Sequence, residues 1–440
     1  DNGETARTQR QALTAFAIRI VSAAIAFLSQ IVLARAMGEF EYGVFAFVWV
    51  LVILVGSLSC LGFHTSIIRF HHQHAADDDH ALVRGLSLGA CLIAFAAASM
   101  IGLVGFSFLA MFGDTMPPYY VVPIGLALFI IPMIGVGDIL DGVARSHGWT
   151  VSALSPTYIV RPALILAFMI AAILAGAERS ATTAMEAALA ATWVTTLGHL
   201  LQLTIRLHGR YRKEPRRYQF GPWLKLSLPL FLVDGIGFML TNADVLVVGL
   251  YLPPDQVGIY YAAAKTIVLV QFVYFSVKAV AGPRFSAILA EGNNPALKRF
   301  AGQTTRWTFW PSLVLGLCAL AAGELLLSLF GPGFTDGYWI MVILFTGILT
   351  KASVGPGEIL LSMAGRQNLC VALYAITLVV AIILNVVLIP HYGLAGAAMA
   401  AAGAMAVEAL LLHMAVRRTL GIVMFAFAQP RARIEEAAET

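Results

Sequence analysis

Apolar runs of membrane-spanning length alternate with short polar breaks along almost the whole chain. A helix needs about 20 predominantly apolar residues to cross a bilayer. Twelve runs qualify, near 12–36, 43–67, 85–112, 118–142, 151–176, 182–205, 224–250, 258–281, 305–330, 337–362, 368–390 and 393–416. The longest polar stretches fall near 69–84, 206–223 and 283–304, and the second divides six runs from six. The pattern predicts an all-α membrane protein of twelve transmembrane helices. Its expected parts are an N-terminal lobe (1–209), a cytoplasmic linker (210–223), a C-terminal lobe (224–418) and a cytoplasmic tail (419–440).

The two halves echo each other. One constant shift along the chain lays Gly43 on Gly258, Phe45 on Tyr260 and Arg69-Phe70 on Arg284-Phe285. A slightly longer shift lays Ile139-Leu140 and Ala144 on Ile359-Leu360 and Ala364. Both halves start from the same membrane face, so the expected relation is a pseudo-two-fold axis along the membrane normal. Duplicated membrane bundles place their substrate sites at the repeat interface, which points to a transporter.

Composition supports the membrane reading: 59% of residues are hydrophobic and 12% charged, against roughly 25% charged in soluble domains. Lys and Arg set the orientation. Of 28 such residues, 21 fall on one side, from Arg7 and Arg10 to Arg431 and Arg433. Arg179 stands alone on the other, and six lie within spans. Both termini are therefore expected in the cytoplasm. External loops are short, which leaves no room for a separate catalytic domain, and no P-loop is present. His71, His72, His74, Asp77, Asp78, Asp79 and His80 read as a solvated loop rather than a metal site. Cys60, Cys91, Cys318 and Cys370 read as small core residues.

Charges inside spans are expensive and usually face a partner or a wet cavity. The cationic candidates are Arg19, Arg161, Lys265 and Lys351, with Lys278 and Arg35 near span ends, where a long side chain snorkels. The acidic candidates are Asp234, Asp244, Glu324 and Glu358. Asp234 falls on Arg19 at the repeat offset, as either a gate, a coupling site or a static pair. Their spacing in sequence puts Glu358 on the helical face of Lys351, and Asp141 stands i,i+4 from Arg145. Gly355-Pro356-Gly357 predicts a broken helix between Lys351 and Glu358.

The run Leu33-Ala34-Arg35-Ala36-Met37-Gly38-Glu39-Phe40-Glu41-Tyr42-Gly43 resembles the first-hairpin signature of polysaccharide transporters. Asp244 to Ala264, with Gly258-Ile259-Tyr260-Tyr261-Ala262-Ala263-Ala264, resembles that family's second-half pattern. The chain is similar throughout to the Wzx-type flippases of the multidrug/oligosaccharidyl-lipid/polysaccharide superfamily. The resemblance implies a MATE-like fold, two six-helix lobes around a V-shaped central cavity. It implies translocation of an undecaprenyl-diphosphate-linked oligosaccharide (O-antigen, capsule or exopolysaccharide) between the leaflets of a bacterial inner membrane. Alternating access coupled to H+ or Na+ is implied, with no cofactor and no enzymatic step. The expected partners are the lipid-linked glycan, membrane lipids, a polysaccharide polymerase and glycosyltransferases, not nucleic acid, for a monomeric protein. Arg19, Arg161, Lys265, Lys351 and Lys278 suit a cationic substrate cavity, and Asp234, Asp244 and Glu358 suit coupling or gating. The competing reading is a multidrug exporter of the same fold, whose cationic substrates favour an acidic cavity. The Gly-Asp-Arg-rich motif that a facilitator-type permease carries between spans 2 and 3 has no match in Phe70-His71-His72-Gln73-His74-Ala75-Ala76-Asp77.

Overall fold

The computed structural model describes residues 2–77, 79–208 and 215–428, apart from the side chains of 2–17, 19 and 76. Arg19 as a side chain, Asp78, linker residues 210–214 and the tail beyond Ala428 thus lie outside the described residues. Among the described residues all regular structure is helical, and nine helices are long and apolar enough to cross a membrane. The two longest helices each hold an internal break. Helix α1 (Asn2–Leu58) is interrupted at Gly38, φ 80°, ψ 176°. Helix α15 (Gln367–Leu420) is interrupted at Gly393, φ 55°, ψ −133°. Positive φ costs a Cβ-bearing residue about 1–2 kcal/mol, so glycine marks both breaks.

The chain forms two compact units, Asp1–Phe238 with Pro253–Gly258, and Met239–Leu252 with Ile259–Thr440. In the first unit, α2 (Phe63–Ala76), α3 (His80–Phe112) and α4 (Pro118–Ser146) follow α1. Asp79 caps α3 by accepting from the Leu82 amide at 3.0 Å. Pro118 opens α4, where a missing N–H costs nothing. Then come α5 (Thr150–Ser155), α6 (Arg161–Leu174), α7 (Ala181–His208) and the first part of α8 (Phe220–Tyr251). Helix α4 is the central post, packed by α1, α2, α3, α5 and α7. Phe63, Ile67, Leu86, Ile139, Val143 and Trp223 pack into one buried core. The outward faces stay apolar: Leu103 on α3 is 68% exposed and Leu174 on α6 is 82% exposed. A contiguous apolar exterior is a liability in water and the solvent-matched surface in lipid.

The repeat glycines meet inside this unit. A Cβ on Gly43 would collide with the carbonyl of Pro254, the first residue of α9 (Pro254–Ile267). A Cβ on Gly258 would lie 3.2 Å from the Gly43 amide nitrogen. Neither position has room for a side chain.

The second unit continues through α10 (Gln271–Ala290), α11 (Asn294–Ala321), α12 (Gly323–Ser328), α13 (Tyr338–Val354), α14 (Gly357–Met363) and α15. Asn293 caps α11 through the Ala296 amide at 3.0 Å. The break expected at Gly355-Pro356-Gly357 separates α13 from α14, with Gly355 at φ 69°. A Cβ there would also press on Thr305 of α11. Phe285, Leu297, Leu360, Leu412 and Val416 form the core beside this break.

The polar 69–84 stretch departs from its reading as a solvated loop. Residues 63–76 are helical, and His71 and His74 are buried. Their neighbours pull this histidine-rich end inward: Phe70 stacks on His74, and His71 Nε2 lies 3.1 Å from His147 Nε2. No group of metal-ligating side chains occurs among the described residues.

Candidate functional site

Clustered polar groups interrupt the apolar interior of each unit. In the first, Asp138 and Asp141 stand one turn apart on α4. Ser57 Oγ of α1 donates to Asp138 Oδ2 at 2.6 Å. Thr157 Oγ1 donates to Asp141 Oδ2 at 2.8 Å. Thr157 sits in a π-helical turn, Pro156–Val160, between α5 and α6. Pro162 lacks the N–H that would close a tighter turn, and such wide turns recur at functional sites. The turn also aims Arg161. Its guanidinium carbon lies 5.9 Å from the centre of the Trp49 ring, within electrostatic reach of Asp138 and Asp141. His199 of α7 is buried, with Nδ1 3.7 Å from Asp141 Oδ1.

Asp141 and Arg145 do not form the side-chain pair that their spacing suggests. Arg145 Nε reaches the Asp141 carbonyl oxygen at 3.4 Å, while the carboxylate is turned inward to Thr157 and His199. The Thr157 hydroxyl gives the buried carboxylate the hydrogen bond that a buried polar group requires.

A second polar strip ties α2 to the first half of α8. Asp234 Oδ2 faces His64 Nε2 at 3.4 Å and accepts from Thr65 Oγ1 at 3.5 Å. Ser66 and Ser227 hydroxyls lie 2.6 Å apart, and Trp223 Nε1 donates to His74 Nε2 at 3.3 Å. Gly62, at φ 76°, permits this approach, because a Cβ would collide with the Ser227 carbonyl. The partner expected for Asp234, Arg19, has no described side chain.

The second unit gathers Lys278, Lys351 and Glu358 into one chain of charges. Lys278 Nζ lies 3.1 Å from Glu358 Oε1. Tyr274 OH donates to Glu358 Oε2 at 2.5 Å. Lys351 Nζ stands 5.3 Å from the Tyr274 ring centre and 2.7 Å from Glu408 Oε1. Lys351 and Glu358 therefore do not share a helical face. The positive φ at Gly355 ends the helical register between them, and each takes a different partner. Lys278, read as a snorkelling residue, instead turns to a carboxylate that is almost wholly buried. Asp244 accepts from Tyr260 OH at 2.7 Å. Lys265 Nζ lies 4.9 Å from the Tyr261 ring centre, within electrostatic reach of Asp244.

Glu408 and His199 were missed in the sequence. Glu408 interrupts the alanine-rich run 397–409, so the intramembrane-charge rule that found Lys351 also points to it. His199 carries no such signal, since a neutral imidazole in a span is unremarkable. Asp138 and Asp141 are acids near the end of the 118–142 run, where the intramembrane-charge rule does not single them out.

Residues 10–289 match the family model described as polysaccharide biosynthesis protein. No curated protein matches. Among solved structures, the chain resembles an inward-facing multidrug resistance MATE family transporter of the MOP superfamily. The TM-score is 0.74 at 13% identity, covering 91% of this chain and 94% of the other. It resembles the lipid II flippase MurJ in an inward closed conformation equally well, with TM-score 0.74, 15% identity, and coverage of 92% and 87%. A third likeness is a MOP superfamily transporter from Pyrococcus furiosus Vc1, described as having a binding pocket of reversed polarity. There the TM-score is 0.61 at 13% identity, covering 92% and 93%. At these identities the likeness establishes the fold: an all-α, multi-pass membrane architecture of the MATE/MOP type.

Proposed function

Because the chain belongs to the polysaccharide biosynthesis protein family and has the fold of MOP-superfamily transporters, we propose that it is a flippase for an undecaprenyl-diphosphate-linked oligosaccharide. The glycan is the repeat unit of an O-antigen, capsule or exopolysaccharide, carried from the cytoplasmic to the periplasmic leaflet of a bacterial inner membrane. The observation that carries this reading is a half-buried intramembrane cation held over an aromatic ring in each unit taken by itself, Arg161 over Trp49 and Lys265 over Tyr261. A diphosphate offers dense negative charge to such groups, and a guanidinium matches its oxygens in pairs. Lys278 and Lys351 contribute in a second way. Each is already matched by a glutamate, so an arriving anion must compete with Glu358 or Glu408. That competition makes the second cluster a place where substrate charge changes internal pairing. Asp234, Asp244 and Glu358 are the proposed coupling or gating carboxylates, with H+ or Na+ as the coupling ion.

The reading takes the breaks at Gly38 and Gly393 as hairpins and counts α11 as a span, giving twelve transmembrane helices in lobes 1–209 and 224–418. Both termini then lie in the cytoplasm, as the Lys and Arg distribution requires. The protein acts as a monomer beside the polymerase and the glycosyltransferases that supply its cargo. A multidrug exporter is the second reading, and the carboxylates Asp138 (half-buried) and Asp141 (buried) favour it, because they suit an organic cation. A leaflet-resolved assay of lipid-linked oligosaccharide in inverted vesicles separates the two. Appearance of the glycan in the lumenal leaflet only when the chain is present supports the flippase. Unchanged leaflet distribution, together with uptake of organic cations, refutes it.

A further inference from the structure

A cavity of about 140 Å³ opens in the first unit between α3 and α7, away from the polar clusters. Helices α3 and α7 each pack along α4 and make little contact with one another, so α4 forms a floor and the other two form walls. Leu140 and Val143 supply the floor, and Leu88, Cys91, Leu200 and Leu203 the walls. The mouth is different. Arg84 from the first turns of α3, His208 from the last turn of α7, and Arg216 converge there, with the Ser87 and Thr204 hydroxyls just inside.

Arg216 is held in place by its neighbour. The Arg217 amide donates to the Ala81 carbonyl at 3.2 Å, and the Arg217 guanidinium pairs with Asp79. Gly85 allows that approach, since a Cβ would collide with the Arg217 carbonyl. The mouth is thus a built feature, made by strapping the 215–219 segment across the start of α3. Further along both walls the side chains are apolar and exposed: Leu92 and Phe95 on α3, Leu197 on α7.

We infer that this groove binds an anionic phospholipid of the cytoplasmic leaflet, phosphate at Arg84, His208 and Arg216 and one acyl chain along the α4 floor. The inference rests on the cytoplasmic orientation proposed above for the α3 start and the α7 end. Basic pockets between transmembrane helices at that level recognise anionic headgroups, and two guanidiniums match phosphate oxygens in pairs. The cavity holds on the order of five water-sized groups, enough for the first methylenes of a straight chain. Its floor and walls are apolar where a glycan is polar, and its surroundings are lipid-facing. A structural lipid fits those dimensions better than cargo does.

The test uses the full-length protein with Cys318→Ser, so that Cys91 reports on the groove while Cys60 and Cys370 are buried. Labelling of Cys91 by a small thiol reagent is measured in detergent with dioleoyl phosphatidylglycerol, dioleoyl phosphatidylcholine, undecaprenyl diphosphate or inorganic phosphate. Native mass spectrometry counts retained lipid. Phosphatidylglycerol is expected to be retained and to slow labelling at least tenfold, with phosphatidylcholine and inorganic phosphate having little effect. Arg84→Gln with Arg216→Gln is expected to abolish both effects. Leu200→Trp, which fills the groove and keeps the cations, is expected to abolish them too, and stands as the test should the double variant not fold. Labelling indifferent to phosphatidylglycerol overturns the inference. Protection by undecaprenyl diphosphate and not by phosphatidylglycerol overturns it in favour of a cargo-loading site, and protection by inorganic phosphate alone reduces it to an anion site. None of these readouts involves transport, so a protein that binds phosphatidylglycerol but moves no glycan refutes the proposed function alone.

Discussion

Lys351 and Glu408 form the closest ion pair of the second unit among the described residues, and cutting it from either side is predicted to have unequal costs. At 2.7 Å and an effective dielectric constant of about 20, their attraction is about 6 kcal/mol. Desolvation takes back much of that, and removing one partner from a buried pair typically costs about 3–5 kcal/mol. The two side chains differ in what remains. Without Glu408, Lys351 is 30% exposed and keeps the Tyr274 ring beneath its ammonium. A desolvated cation over a ring gains about 2 kcal/mol. Without Lys351, Glu408 is 10% exposed and faces no other cation at ion-pair distance among the described residues. Glu408→Leu is therefore expected to cost about 2 kcal/mol and Lys351→Met about 4 kcal/mol. The double variant is expected to fall within about 1 kcal/mol of the parent, because an apolar pair of similar size replaces both charges. The assay is reversible unfolding in mixed micelles of rising denaturing-detergent fraction, read by tryptophan fluorescence, and closed as a double-mutant cycle. A double variant as unstable as the sum of the singles would refute the pairing. Equal single costs would refute the role given to Tyr274.

Three further outcomes follow from the clusters. Arg161→Ala is expected to abolish glycan translocation at normal protein abundance, whereas Arg161→Lys, which keeps charge but loses the paired donors, retains part of it; unchanged export in inverted vesicles removes Arg161 from the site. Asp234→Asn is expected to slow gradient-driven transport in liposomes while leaving substrate affinity within about twofold, since the diphosphate needs cations; intact gradient stimulation makes Asp234 a structural partner only. Thr157→Val removes the donor to Asp141 and is expected to destabilise the fold by about 1–3 kcal/mol, and an unshifted unfolding midpoint in the same micelle titration counts against the α4 cluster.

Much of the helical layout is visible in the sequence because lipid demands it. A span must be about 20 residues long and apolar, so Pro118–Ser146 or Ala181–His208 is bounded by its own composition. The glycine-proline break before Glu358 is equally plain, since Gly355 and Pro356 both resist helix continuation. Partner choice is a different matter. Periodicity joined Lys351 to Glu358, and the same broken backbone that the sequence announces is what undoes that pairing. The histidine-rich end of α2 misled for a related reason: polarity suggested solvent, while Trp223, far along the chain on α8, covers it. Tertiary partners so distant in sequence leave no local trace.

The meeting of Gly43 with Gly258 links two copies of one motif by shape. Each glycine is the surface against which the other's segment rests, so the duplicated stretch is complementary to itself. A side chain gained at one copy cannot be absorbed by trimming the other, which has nothing left to trim. After such a duplication the copies lose the freedom to diverge at this point, however far their neighbours drift. The motif's reappearance in the second half is then a mark of contact. A chain built by joining one half to an unrelated bundle would have to reproduce a bare backbone at that spot.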